Sequence, residues 1–189
     1  MKVYAAARDL AGDIAFVGTH QFLIIETSKS IPISINGNRY SPIELGGGTK
    51  GYVLGAHNIS NKLTVKPFEE NDVLAAKEYY GGIERKFYQK DFDTEVREIA
   101  FSTNVESYAY KLFKLANNFS LNQVTDPIRY PTAGQGFNSN SWVNSMVRHS
   151  GGLYNSNFSG IDSAHNEVIP LTYFMAICPF QPRPKLNAK

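Results

Sequence analysis

Cysteine is almost absent from this chain: Cys178 is the only one among 189 residues. A single thiol closes no internal disulfide, and zinc sites of the Cys₂His₂ or Cys₄ kind lack their ligands. The four histidines, His20, His57, His149 and His165, fall into neither HExxH nor HxH spacing. On that reading neither a metal nor another cofactor is expected. An excess of charge of one sign is also missing. Nineteen Lys and Arg stand against 17 Asp and Glu, with no basic run longer than two residues. That excludes the electrostatic footprint of a nucleic-acid binder. The longest apolar stretch, Ile169 to Phe180, is broken by Pro170 and Pro179 and is far short of the ~20 residues a bilayer span requires. At the N-terminus, Arg8, Asp9 and Asp13 interrupt the apolar centre that a secretory signal would need. The expectation is a chain made in the cytoplasm without a cleavable signal peptide.

What the chain does have is an ordinary globular composition, 42% hydrophobic and 13% aromatic. A chain of this size buries roughly 70% of its unfolded surface, so one domain over residues 1–189 is expected, with 179–189 as an extended Pro-rich tail. From Ile14 to Lys66, β-branched and aromatic residues cluster in short runs: Phe16-Val17, Phe22 to Ile25, Ile31 to Ile35 and Tyr52 to Leu54. Turn signals such as Asn36-Gly37 separate them, the pattern of a small antiparallel sheet. Gly46-Gly47-Gly48-Thr49-Lys50-Gly51 lacks the order of a phosphate-binding loop and reads as a connection between strands.

Beyond Lys66 the period becomes helical. Asn71-Asp72 is placed to cap a helix through Val73, Leu74, Ala76, Lys77 and Tyr80, stopped by Gly81-Gly82. Thr103 and Glu106 fit a capping box for a second helix carrying Tyr108, Ala109, Leu112, Phe113, Leu115 and Ala116 on one stripe. A third starts near Ser139, with Trp142, Val143, Met146 and Val147 on one face and Gly151-Gly152 at its end. Strands first and helices later define an α+β fold.

Two segments could carry chemistry. Gly18-Thr19-His20-Gln21-Phe22 begins an apolar strand with a histidine, and Gly134 to Ser145 is a loop of small residues running into the third helix. A nucleophile at a helix N-terminus gains from the dipole and from free N–H groups, and a nearby histidine supplies the base. His149, at the end of that helix, reads as a dipole cap, His165 as a loop residue, and Cys178 as a buried thiol.

Asn138-Ser139-Asn140-Ser141-Trp142-Val143 resembles the Asn-Cys-Asn-(Ser/His)-(Phe/Trp)-(Val/Ser) helix start of circularly permuted papain-like hydrolases. That group includes permuted relatives of NlpC-type cell-wall peptidases and PPPDE-type isopeptidases. Its histidine comes early on a strand and its nucleophile late, the order found here. Gly18 to Phe22, Gly55-Ala56-His57-Asn58 and the segments Gly160-Ile161-Asp162 and Val168-Ile169-Pro170 are similar to antibacterial effector domains of the type VI secretion system.

The resemblance implies a papain-like fold whose nucleophile position is Ser139, where the family has Cys, and whose general base is His20. It implies a third residue orienting the imidazole, for which Glu44 is the first candidate, His57 the second and Asn58 the third. Gln135 is a candidate oxyanion donor. It further implies a cysteine amidase or peptidase acting on peptidoglycan peptides in the periplasm of a target cell, nearly inactive as a Cys-to-Ser form. A cognate immunity protein and a component of the secretion machine are the implied partners. An isopeptidase, deamidase or acyltransferase acting on protein or lipid, and a non-catalytic binding relative, are the alternatives.

Overall fold

The computed structural model describes residues 1–9, 18–81, 94–131, 136–159 and 164–176. Six strands form one antiparallel sheet: β1 (Val3–Asp9), β2 (Thr19–Glu26), β3 (Ile43–Gly46), β4 (Thr49–Ile59), β5 (Lys62–Pro67) and β6 (Glu95–Glu98). They run in the order β3-β4-β2-β1-β6, and β5 joins the same edge of β4 further along. The helices are α1 (Glu70–Tyr79), α2 (Val105–Thr125) and α3 (Ser139–Ser150), followed by a short 3₁₀ turn at Leu171–Phe174. The fold is therefore mixed α+β, with an antiparallel sheet and three helices.

Strand alternation divides the side chains between two cores. Tyr4, Ala6, Phe22, Ile24 and Val53 pack under Ala75 and Ala76 of α1. Ala5, Leu23, Ile25, Tyr52 and Leu54 pack on the other face with Leu112 and Phe113 of α2 and Trp142, Val143 and Met146 of α3. Three layers result, with α1 the helix that covers one side of the sheet among the described residues.

The turn signals behave as their chemistry requires. Asn36 (φ 53°) and Gly37 (φ 77°) make a tight turn closed by the Ile35–Asn38 bridge. Ile31 to Ile35 otherwise forms no strand. The glycine-rich segment is the β3–β4 turn, with Gly46, Gly47 and Gly48 all at positive φ. Phe16-Val17, Cys178 and the 179–189 tail lie outside the described residues.

Two helix starts differ from expectation. Glu69, not Asn71-Asp72, caps α1, its carboxylate accepting the N–H groups of Asn71 and Asp72. Asn104, not Thr103, caps α2 by accepting the N–H of Ser107. In both cases a neighbouring acceptor reaches the same free N–H groups, and at α1 this leaves Asp72 free to turn toward the sheet. Helix α3 starts and ends as its sequence indicates, with Gly151 in the left-handed conformation at its C-terminus.

Candidate functional site

Alternation along β2 puts His20 on the α1 face, beside Phe22. The same rule puts Arg8 of β1, opposite His20 in register, and His57 of β4 on that face. Asp72, in the first turn of α1 and one helical turn before Ala75 and Ala76, comes down onto these three side chains. His20 Nε2 lies 3.3 Å from Asp72 Oδ2, and His57 Nε2 lies 3.0 Å from the same oxygen. Arg8 Nε donates to Asp72 Oδ1 at 2.7 Å. The two imidazole rings stand 4.4 Å apart. Asp72 is wholly buried, the His20 side chain is 4% exposed and that of His57 13%.

Ionisation in this cluster follows from burial and from Arg8. The Asp72 carboxyl is held far below the ordinary range: desolvation works against ionisation, and the histidines and the Arg8 guanidinium outweigh it. Burial drives His20 down as well, to about 4, with Asp72 opposing and Arg8 and His57 assisting. At neutral pH the carboxylate is charged, Arg8 balances it and His20 is neutral. A neutral imidazole facing a carboxylate must donate to it, so Nε2 of His20 carries the hydrogen and Nδ1 is left as the acceptor. His57 Nε2 is buried and off the hydrogen-bond axis, so it has no hydrogen-bond partner.

Gly55 is what gives the carboxylate its room. A Cβ there would meet Asp72 Oδ2 and come within 2.7 Å of His57 Nε2.

The start of α3 reaches β2 from elsewhere. β1 pairs with β2 along Thr19 to Ile25, but β4 pairs only from Phe22 onward, its far half running on with β5. The edge of β2 that β4 leaves open is filled by Asn140. Its Oδ1 accepts the N–H of Gln21 at 3.0 Å and its Nδ2 donates to the carbonyl of Thr19 at 2.9 Å. One side chain thus takes the place of a strand's peptide group and grips the backbone on both sides of His20.

Ser139, the first residue of α3, is buried, and its hydroxyl donates to Asn140 Oδ1 at 3.2 Å. A full capping box surrounds it. Asn138 Oδ1 accepts the N–H groups of Asn140 and Ser141, and Ser141 Oγ accepts that of Asn138. With those groups spent, the Ser139 N–H is the one left open in the first turn among the described residues.

The residues singled out from sequence fall into separate groups. His20 and His57 meet, and the start of α3 is tied to His20's strand. Glu44 is not the group behind His20. It lies exposed on β3, paired with Lys50 Nζ at 3.0 Å, because β4 stands between its strand and β2. Asp72 occupies that place, free of the capping role because Glu69 takes it. Asn58 side chain accepts the N–H of Asn61 in the β4–β5 turn. His149 Nε2 lies 2.8 Å from the carbonyl of Ile169, and His165 lies in a turn. Gln135 lies outside the described residues. A cluster drawn from β2, β4 and α1 has no short-range spacing, so motif scanning misses it; a carboxylate in the first turn of a helix that follows a histidine-bearing strand is the one signal available.

Compared with protein-family models, curated proteins and solved structures, the chain gives no match.

Proposed function

We propose that this chain is a papain-like hydrolase scaffold in which Ser139 stands at the nucleophile position and His20 is the base. Asp72 holds the imidazole, and the Ser139 N–H receives the oxyanion. The observation that carries the reading is the Asn140 clamp, which fixes the helix start beside His20 across 120 residues of sequence. The neutral state of His20, with Nε2 turned to Asp72, leaves Nδ1 as the proton acceptor the chemistry requires.

In the reaction so read, the side chain at 139 attacks an acyl carbon and its proton passes to His20 Nδ1. That proton then goes to the leaving amine, and water releases the acyl group. The parting of β2 and β4 beyond Phe22 leaves the backbone edge at His20 open to the helix start. Amide bonds of peptidoglycan peptides are the substrate class taken from the resemblance, and delivery to a target cell comes from it too. A non-catalytic binding relative is the reading favoured by Ser139 itself, since a hydroxyl ionises far less readily than the family's thiol.

The test is the reactivity of a thiol placed at the site. In Ser139→Cys, alkylation by iodoacetamide at pH 6, mapped by peptide mass spectrometry to separate it from Cys178, is expected to run at least tenfold faster than for a free thiol. His20→Ala in that background should remove the gain. A residue-139 thiol that reacts like free cysteine, with or without His20, defeats the reading. Release of new amino groups from purified peptidoglycan by Ser139→Cys then tests the substrate class.

A further inference from the structure

One contact of the Asp72 cluster falls outside hydrogen-bond geometry. His57 Nε2 is a buried nitrogen 3.0 Å from Asp72 Oδ2 with no hydrogen bond to it. His20 Nε2 is nearly equidistant from both carboxylate oxygens, at 3.2 and 3.3 Å. All three potential donor atoms lie within 4.8 Å of one another. Ligand atoms held about 2.0–2.1 Å from a tetrahedral zinc stand about 3.3 Å from each other, so the distances of His20 Nε2 and His57 Nε2 from Asp72 Oδ2, 3.3 and 3.0 Å, are those of two edges of a coordination polyhedron. Gly55 keeps the space beside two of them clear, since a Cβ there would press on both Asp72 Oδ2 and His57 Nε2.

We propose that His20 Nε2, His57 Nε2 and Asp72 Oδ2 form a binding site for one transition-metal ion of borderline softness, zinc above all. Two imidazoles and a carboxylate suit such an ion, and three protein ligands leave a fourth position for water or another ligand. Arg8, bonded at 2.7 Å to Asp72 Oδ1, orients the carboxylate so that Oδ2 faces the imidazoles. The ion enters from the side of His57, the least buried of the three. Binding moves the imidazole hydrogen of His20 from Nε2 to Nδ1, with no net release of protons from the neutral ring.

One consequence rests on the hydrolase reading above. A His20 that carries its hydrogen on Nδ1 cannot accept a proton from residue 139, so metal occupancy and general-base action exclude each other. Zinc is then an inhibitor of the hydrolase rather than its cofactor.

Cobalt(II) titration of the untagged, metal-stripped Ser139 protein tests the site without any substrate. One equivalent should bind, with the intense visible absorption of a tetrahedral complex, and zinc should displace it. His57→Gln, chosen because its side chain is the least buried, should weaken binding by more than about 100-fold, while circular dichroism and the melting transition remain those of the parent. Absence of the cobalt spectrum at millimolar metal, or a spectrum undiminished in folded His57→Gln, overturns the proposal. Failure of the metal site leaves the alkylation result at residue 139 untouched, and failure of the hydrolase reading leaves the cobalt spectrum in place.

Discussion

Asn140 Oδ1 accepts the backbone N–H of Gln21 at 3.0 Å, so the second residue of a helix completes the hydrogen bonding of a strand that precedes it by more than a hundred residues. With the reciprocal bond from Nδ2 to the Thr19 carbonyl, this is the main polar tie between α3 and β2.

Asn140→Ala orphans a buried N–H and a buried C=O at once. The expected cost is about 2–6 kcal/mol, read from urea denaturation, since each unsatisfied buried group costs about 1–3 kcal/mol. Asn140→Asp keeps the acceptor and loses the donor, so it should fall between the parent and the alanine variant. A change under about 0.5 kcal/mol for alanine would mean that water replaces the clamp without loss.

Gly55→Ala introduces a methyl into the Asp72 carboxylate. Overpacking of this kind costs about 1–3 kcal/mol. The imidazole resonances of His20 and His57 should both shift in NMR spectra, whereas an alanine accommodated without either effect would show that the carboxylate moves aside freely.

The third prediction compares two carboxylates. Asp72→Asn removes the closer of the two carboxylates that balance the buried Arg8 guanidinium, leaving Glu69 at 3.5 Å, and should cost about 2–4 kcal/mol. Glu44→Gln breaks only an exposed pair with Lys50 and should cost less than about 1 kcal/mol. In the Ser139→Cys background, Asp72→Asn should also slow alkylation, and Glu44→Gln should leave it unchanged. Equal effects of the two would remove Asp72 from its assigned place behind His20.

The pH dependence of stability has a definite sign. His20 titrates near 4 when folded and near 6.5 when unfolded. Between those values the unfolded chain binds more protons, so stability falls as pH drops from 6.5 to 4 and is constant in this respect above 6.5. The full effect is on the order of 3 kcal/mol. Asp72, depressed in the folded state, adds a further loss below about pH 4. Denaturation midpoints measured in the presence of chelator from pH 4 to 8 should show the slope, and His20→Asn should flatten it.

Local chemistry made much of the fold legible. Val3–Asp9 and Glu95–Glu98 were not among the expected strands, because the first is a run of alanines with weak β preference and the second is charged; the first owes its conformation to pairing with β2 and the second to pairing with the first. Helix α3 was readable almost to the residue, because its apolar face, its polar first turn and Gly151 all agree. His20 and Ser139 were legible as singular residues, one at the head of an apolar strand and one at a helix start. Asp72 was not, since an Asp after Asn at a helix start has a sufficient local explanation as a cap. Only the position of Glu69, one residue ahead of the helix, reassigns it.

The parting of β2 and β4 beyond Phe22 also bears on the order in which the parts of the cluster become available during synthesis. β2, β4 and α1 lie within the first eighty residues, so the two imidazoles and their carboxylate can close as soon as that part of the chain has left the ribosome. Helix α3 emerges only later, and until it docks the open edge of β2 at Thr19 and Gln21 stays unpaired. Until then the two imidazoles and Asp72 have all their chain at hand, whereas the strand edge at Thr19 and Gln21 lacks its native partner and is of the kind that pairs with another chain.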